Sequence, residues 1–390
     1  MSIKPKIAIL HDAFLYRWGG ERLVTLMAKS LGADLVSGFF SEWSFDPREL
    51  GFTGEIITLG KPVFMKWLRH EILRHRFLTK TAFLANYDIV IFSGNCLEAV
   101  RNLGPNTKKV YYCHTPPRYI FDLRSEYLAN IPSLFGPVAH FILDRQAKKY
   151  IWFLSCMDVI ITNSKNVQDR LRDFTGYESK VIYPPTDVRR FSPRGDRSEE
   201  IGDREAPYKK TSYLPPPTSY FLSYARLSPP KRVDLIVDAF LDIPEEHLIL
   251  TYGKNDPLKE SIIAKIRNST NIQAVESPDD ARLISLIWWA TATIYIPIDE
   301  DFGMSPVESM ACGTPVIGAA EWGLLETVIE GKTGKLISIM NRESWITQLK
   351  KVIQDTKKEE WEEMKDTCMN RASDFSLDAF EKKLKSLLHI

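Results

Sequence analysis

The stretch Ile298-Asp-Glu-Asp-Phe-Gly-Met-Ser-Pro-Val-Glu-Ser-Met-Ala-Cys-Gly-Thr-Pro-Val-Ile-Gly-Ala-Ala320 decides how the chain is read. Before it, Thr293 to Ile296 is apolar and reads as a strand that runs into an acidic loop. Gly303 lets the backbone turn, Ser305-Pro306 opens a short helix, and Gly313 closes it before a second apolar strand. Glu300 and Glu308 flank a turn rich in backbone N–H groups, with a helix N-terminus between them. Carboxylates suit sugar hydroxyls and amides suit phosphate, so the combination points to a nucleotide-sugar site. A local reading competes. Ser305-x-x-Glu308, with Pro306 at the first helical position, is also a capping box that accounts for Glu308 without any ligand. It leaves Glu300, Gly303 and the Ala311-Cys-Gly-Thr-Pro315 run unexplained, so the remaining sequence has to arbitrate.

At 390 residues the chain exceeds the size at which one core usually keeps growing, so two domains are expected. Its formal net charge of +1 gives no global indication of a nucleic-acid partner. No apolar run reaches the roughly 18 to 20 residues needed to span a bilayer, and Met1 to Lys6 leads into a strand without a signal-peptide core. A cytoplasmic protein is expected. Cys96, Cys113, Cys156, Cys312 and Cys368 are scattered through apolar segments without metal-type spacing, which favours reduced, buried thiols over a zinc site.

In the first half, Lys6 to Leu10 is apolar after its first residue, the kind of strand a parallel sheet buries on both faces. His11 and Asp12 follow, then Trp18-Gly19-Gly20-Glu21-Arg22 and a helix with apolar positions Leu23, Leu26, Met27 and Leu31. Paired glycines before a helix let phosphate or sugar approach the backbone, although taken alone an ordinary strand-to-helix turn explains them better. Further strands are expected at Ala33 to Gly38, Ile56 to Thr58, Ile89 to Phe92, Lys109 to Cys113 and Val159 to Thr162. Their alternation with helices argues for a doubly wound parallel sheet. The strand ending at Cys113 delivers His114-Thr-Pro-Pro-Arg118 to the same edge as His11 and Gly19, where ligands bind in open α/β sheets. Residues 61–84 form a basic amphipathic segment. Phe64, Trp67, Leu68, Ile72 and Leu78 gather on one side and Lys66, Arg69, Arg76 and Lys80 on the other. Leu73 and Phe77 break the segregation. This segment suits an anionic membrane, or packing of its apolar side on the protein's own core.

Val181-Ile-Tyr-Pro-Pro-Thr-Asp187 ends that half, because a strand meeting two prolines stops. The organisation expected is a first domain over 1–190, a charged, proline-rich linker or insertion over 191–217, a second domain over 218–372, and a last segment, 373–390, that packs back towards the first. Tyr220 to Ala225 restarts the alternation, with strands at Leu248 to Tyr252 and Ile272 to Val275. Helices are expected over Val233 to Phe240, Glu343 to Gln354, Lys358 to Ala372 and Leu377 to Leu388. Arg226 and Lys231 leave one strand end together, where they either hold a diphosphate or are merely solvated.

Together these residues resemble the retaining glycosyltransferases of family four (glycosyl transferases group 1). The resemblance rests on Glu300-x7-Glu308 in its extended context. It is joined in order by Gly19-Gly20-Glu21, Thr162-Asn163-Ser164, Val181 to Asp187 before Phe191, Ala225-Arg226-Leu227 with Lys231, and Gly331-Lys-Thr-Gly334. His114-Thr-Pro-Pro-Arg118 is similar to a subgroup of mannosyl- and other hexosyltransferases of glycan assembly. The fold implied is GT-B, two Rossmann-like doubly wound parallel-sheet domains facing a central cleft.

The resemblance also implies roles. Glu308 would hold the donor ribose, and Glu300 the hydroxyls of the transferred sugar. Arg226 and Lys231 would neutralise the diphosphate, helped by the amides of Phe302, Gly303 and Met304, and Ser305 would stand with them on the donor side; the local reading has Ser305 alone capping the helix. His114 would touch the donor sugar, Gly19 and Gly20 would line the phosphate side, and His11, Asp12 and Arg118 would face the acceptor. The activity implied is retaining, metal-independent transfer of a mannose- or glucose-type hexose from a nucleotide diphosphate sugar to a glycan or lipid-linked acceptor. No cofactor and no metal are expected, and the base (GDP, UDP or ADP) stays open. Asp301 stands where glycine is common, and Ala274-Val-Glu-Ser-Pro278 lacks a glycine often found before the base-binding loop. A sugar-nucleotide epimerase, a phosphorylase and a non-catalytic subunit of a glycan-assembly complex are the competing readings.

Overall fold

A computed structural model describes residues 4–15, 19–44, 46–129, 131–191, 219–338 and 341–390. The expected linker at 191–217 lies outside the described residues apart from Phe191, as does Trp18 of the glycine loop. The chain divides into two compact units, Met1–Pro185 with Phe380–Ile390, and Thr186–Ala379.

In the first unit, β1 (Ile7–His11), β2 (Asp34–Ser37), β3 (Ile56–Thr58), β4 (Ile89–Ser93), β5 (Lys108–Cys113), β6 (Val159–Thr162) and β7 (Lys180–Val181) form one sheet in the order β3-β2-β1-β4-β5-β6-β7. Each adjacent pair is parallel. The physical cause is visible in the sequence: β1 and β4 are apolar almost throughout and buried at every position, as strands covered on both faces by crossover helices must be. The Gly19–Leu31 helix buries Leu23, Leu26, Met27 and Leu31, the positions its periodicity picks out. Ser164 caps the Lys165–Thr175 helix by accepting from the Val167 N–H (3.0 Å), which explains the Asn-Ser pair after β6 without a ligand.

The second unit repeats the architecture. β8 (Phe221–Ser223), β9 (Leu248–Tyr252), β10 (Ile272–Glu276), β11 (Thr293–Tyr295), β12 (Val316–Ala319) and β13 (Gly334–Ile337) run parallel in the order β10-β9-β8-β11-β12-β13. Residues 186–191 belong to this unit: the Thr186 N–H donates to the Phe375 carbonyl (2.8 Å) and Arg190 pairs with Asp280. The expected single helix from Lys358 to Ala372 is two, Lys358–Glu363 and Lys365–Ser373, meeting at Met364. From Phe380 onward the Leu377–Leu388 helix belongs to the first unit, where Phe380 meets Tyr112 and the Lys108 ammonium donates to the Leu388 carbonyl (3.0 Å).

The basic segment departs from its helical-wheel reading. In the Lys66–Thr79 helix the residues turned into the core are Leu73 and Phe77, the two that broke the segregation, whereas Phe64, Met65 and Leu78 are exposed. Arg76 points inward, donating to the carbonyls of Gly38 (3.1 Å) and Lys61 (2.8 Å), and Lys80 donates to that of Leu59 (2.9 Å). Carbonyls left over at the ends of β2 and β3 outcompeted solvent for these cations, so a wheel that assumes charges face water assigned the faces wrongly. Replacing fully buried Phe77 by Ala is expected to cost about 3–5 kcal/mol, whereas Phe64→Ala shifts stability by less than about 0.5 kcal/mol. Urea unfolding midpoints of the two variants check the assignment of faces.

Candidate active site

In a parallel sheet every strand delivers its last residues to one edge, and a crevice opens where the strand order reverses. In the first unit that reversal lies between β1 and β4. His11 is in register with Ser93, and Ser93 with Tyr112, so three strand ends stand side by side. His11 Nδ1 donates to the Ser93 carbonyl (3.1 Å), and Ser93 Oγ lies 2.7 Å from His114 Nε2. Asp12 Oδ1 sits 3.5 Å from His11 Nε2. Burial, with His11 adding a smaller push, lowers the His114 pKa to about 4. His114 is therefore a neutral imidazole at physiological pH, a hydrogen-bonding group for hydroxyls and not a cation.

Gly19 and Gly20 begin the helix after β1, and Glu21 in its first turn is buried. Burial raises the Glu21 pKa, opposed by hydrogen bonds from the Glu21 and Leu15 backbones and by His11. Arg118 turns back within its own loop, its Nε donating to Asp122 (2.9 Å).

In the second unit the reversal lies between β8 and β11, where Tyr224 and Tyr295 emerge. Lys231 Nζ donates to Glu300 Oε2 (2.6 Å) and to Tyr295 Oη (2.8 Å), and Tyr295 Oη donates to the same Glu300 oxygen (2.7 Å). The ammonium also stands 5.0 Å from the Tyr295 ring centre. Burial, together with the Glu300 charge, pushes the Tyr295 hydroxyl well above its ordinary pKa, so it remains a donor to the carboxylate. An ammonium has three protons, and two are committed here, leaving one direction for an incoming anion.

Two loops hold this triangle. The Ile298 N–H donates to the Pro230 carbonyl (2.7 Å), stitching the Lys231 loop to the Glu300 loop. Arg232 (φ 52°) after Lys231 and Asp299 (φ 55°) before Glu300 both adopt the left-handed conformation, which costs a non-glycine residue about 1 kcal/mol and re-aims the neighbouring side chain. Gly323 donates to the Glu300 carbonyl (3.0 Å), and a Cβ there would lie 2.6 Å from the Asp301 carbonyl oxygen, so only glycine lets this support approach. Ser277 too is left-handed (φ 44°), so the turn at Ala274 to Pro278 forms although it lacks the glycine.

The capping expectation is corrected. The helix runs Met304–Ala311 with Gly303 as N-cap in the left-handed region (φ 85°). Ser305 is its second residue and Pro306 its third, so Ser305 does not cap; the glycine turn starts the helix early. Proline is tolerated at that place because its missing N–H is one of the first few that have no intrahelical partner anyway. The helix start thus needs no side-chain cap, and the loop that carries Glu300 and Phe302 leads directly into its first turn. Ser305 instead accepts through its carbonyl from the Tyr224 hydroxyl, whose pKa is raised by burial and then by the nearby Glu308.

Arg226 is largely exposed, with Nε 3.6 Å from Asp256 Oδ1. Asp256 Oδ2 accepts from the Leu227 N–H (2.9 Å) and the Gly253 N–H (3.0 Å), which locks the loops after β8 and β9 together. Tyr295, Asp256, Ser93 and Tyr224 are the site residues the sequence reading missed. Tyr224 and Tyr295 left a signal, a polar-tipped aromatic ending an apolar strand; Asp256 and Ser93 left none. No group of three or more His, Cys, Asp or Glu placed to hold a metal occurs among the described residues, and none of their helices is long and apolar enough to cross a membrane.

Two family models match the chain: Glycosyltransferase Family 4 over residues 18–190 and Glycosyl transferases group 1 over residues 206–367. The chain belongs to the GT-B glycosyltransferases of family 4. Among curated proteins, this glycosyltransferase is similar to the alpha-1,3/1,6-mannosyltransferase ALG2 of Dictyostelium discoideum, 24% identical over 381 residues, with 85% of each chain covered. It is also similar to D-inositol 3-phosphate glycosyltransferase of Nocardiopsis dassonvillei, 26% identical over 215 residues. That alignment covers 50% of this chain and 48% of the relative. Its fold is shared with Anabaena Alr3699/HepE solved in complex with UDP-glucose (TM-score 0.71, 18% identity, 99% of each chain). Sucrose-phosphate synthase of Thermosynechococcus elongatus is likewise similar in fold (TM-score 0.73, 18% identity, 99% of this chain and 98% of that one).

A histidine whose pKa is depressed on folding is neutral in the native state while the unfolded chain still takes up a proton. Stability from His114 is therefore complete above pH 6.5 and is lost as pH falls from 6.5 towards about 4. An NMR titration of the native protein should find the His114 ring neutral at about pH 6; a midpoint near 6.5 contradicts this. Tyr295→Phe removes the hydroxyl shared by Lys231 and Glu300 and is expected to cost about 1–3 kcal/mol by chemical denaturation.

Proposed function

We propose that this glycosyltransferase moves a hexose from a nucleotide diphosphate sugar to a glycan or lipid-linked acceptor, with retention of anomeric configuration and without a metal ion. The observation that carries the proposal is the Lys231–Tyr295–Glu300 triangle, set in a loop that also starts the Met304–Ala311 helix. Cleaving a sugar C1–O bond to a diphosphate concentrates negative charge on the leaving oxygen and positive charge at C1. The third ammonium proton of Lys231, the Arg226 guanidinium and the helix's first amides meet the first charge; the Glu300 carboxylate lies close enough to meet hydroxyls around the second.

In the transfer, the bond from C1 to the phosphate oxygen breaks and the acceptor oxygen bonds C1 on the same face. The acceptor's proton passes to the departing phosphate oxygen, so no protein base is needed. Glu308 is assigned the ribose hydroxyls. In the first unit, the neutral His114 with Ser93, His11 and Asp12 offers paired donors and acceptors of the kind that hydroxyls require. A mannose- or glucose-type donor fits the reading, supported by the mannosyltransferase relative and by the neighbour crystallised with UDP-glucose. Of the four cations expected on the polar side of residues 61–84, Arg76 and Lys80 already hold carbonyls of their own unit.

A thermal-shift screen of GDP-, UDP- and ADP-sugars should show one base stabilising the protein. With that donor, Lys231→Ala is expected to lower hydrolysis on the order of 100-fold with the fold intact, and EDTA is expected to leave it unchanged. An inverted product anomer overturns the retaining mechanism.

A further inference from the structure

The Gly136–Ser155 helix and the turn before it carry a surface that the glycosyl-transfer reading does not use. Leu134 is 82% exposed and Phe141 is 61% exposed, and Phe135, Val138, Ile142 and Trp152 are exposed as well. They do not scatter. Positions 138, 141, 142, 145 and 152 recur at the three- and four-residue spacing of one helical face. The opposite face holds the buried residues Leu143, Tyr150 and Leu154. The helix is therefore apolar on both sides: one seats it on the first unit's core, and the other is turned out.

The polar groups on the outer face are basic. Arg145 and Lys148 lie within the stripe and are exposed, and the Arg145 guanidinium stands 5.9 Å from the Phe141 ring centre. Arg101 from the loop after β4 stands 4.9 Å from the Trp152 ring centre. The helix's one acid, Asp144, is taken by Arg124 (2.7 Å). Apolar side chains with aromatic rings, edged by cations of which two guanidinium groups stand near those rings, match the boundary between acyl chains and anionic headgroups. We propose that this face rests on an anionic phospholipid surface, with Leu134, Phe135, Val138 and Phe141 entering the headgroup–acyl boundary and Arg101, Arg145 and Lys148 meeting lipid phosphates. A second copy of the chain fits less well, because a two-fold contact would set the basic stripe against itself.

The proposal does not depend on the identity of the donor or acceptor, and its readout is separate from turnover. The full-length protein is sedimented with phosphatidylcholine vesicles with and without phosphatidylglycerol. Binding to the anionic vesicles, weakened at high salt, is expected, with a blue shift of tryptophan emission that Trp152→Phe diminishes. Phe135→Ser with Phe141→Ser, and separately Arg145→Glu with Lys148→Glu, are each expected to weaken vesicle binding roughly tenfold or more. Phe64→Ser with Met65→Ser should leave binding unchanged, which separates this face from the 61–84 segment. Donor hydrolysis and melting temperature should be unchanged in all variants. Equal vesicle binding by wild type and both stripe variants overturns the proposal. So does a concentration-dependent dimer, abolished by the same substitutions, in a protein that does not bind vesicles.

Discussion

Every strand in each sheet runs the same way, and that constraint does most to determine what the protein can do. Parallel pairing sends all the polar residues that end apolar strands to one edge. The reversal of strand order between β1 and β4, and again between β8 and β11, opens a crevice at that edge. His11, Ser93 and His114 gather because their strands are in register; Lys231, Tyr295 and Glu300 gather because their loops leave neighbouring strand ends. A slip of one residue in β4 would turn Ser93 away from both histidines, so the sheet's apolar burial fixes the polar geometry.

The second-unit site balances charge before any ligand arrives. An ammonium half-buried beside a tyrosine ring would be costly alone, and Glu300 and Tyr295 stabilise it at hydrogen-bond distance. The same arrangement pre-orients the cation, since Lys231 keeps one proton for an anion while its other two hold it in place. Preorganised charge of this type is worth more than a mobile surface lysine, because no reorganisation is needed when negative charge develops. Asp256 supports it from behind by joining two loops through backbone amides, with Arg226 at its outer oxygen.

Helix Gly136–Ser155 and segment 61–84 teach a related lesson about surfaces. Both carry aromatic and basic residues at helical spacing. In the earlier segment Arg76 and Lys80 satisfy carbonyls of their own unit and Phe77 enters the core. In the later one the apolar stripe faces outward with cations among it. Periodicity reports that a helix has two faces; it does not report which face the core takes.

The sequence by itself determined the fold class, the limits of the strands it named to within two residues, and the family. Apolar runs bounded by turn residues depend on local physics, and the spaced Glu300 and Glu308 sit in a context specific enough to identify. It also located Lys231, Glu300, His11 and His114 at strand ends. It did not determine which groups touch. Ser93 stood just past an expected strand end and Tyr295 inside another; register between β4 and β5 made Ser93 a partner of His114, and neighbouring strand ends made Tyr295 a partner of Lys231. It misplaced the start of the Met304 helix, because a capping box is a local pattern while the left-handed turn at Gly303 is set by the loop's support from Gly323. Tertiary structure decided these matters for one reason: burial and hydrogen-bond partnership are properties of neighbours in space, and a single sequence records neighbours only along the chain.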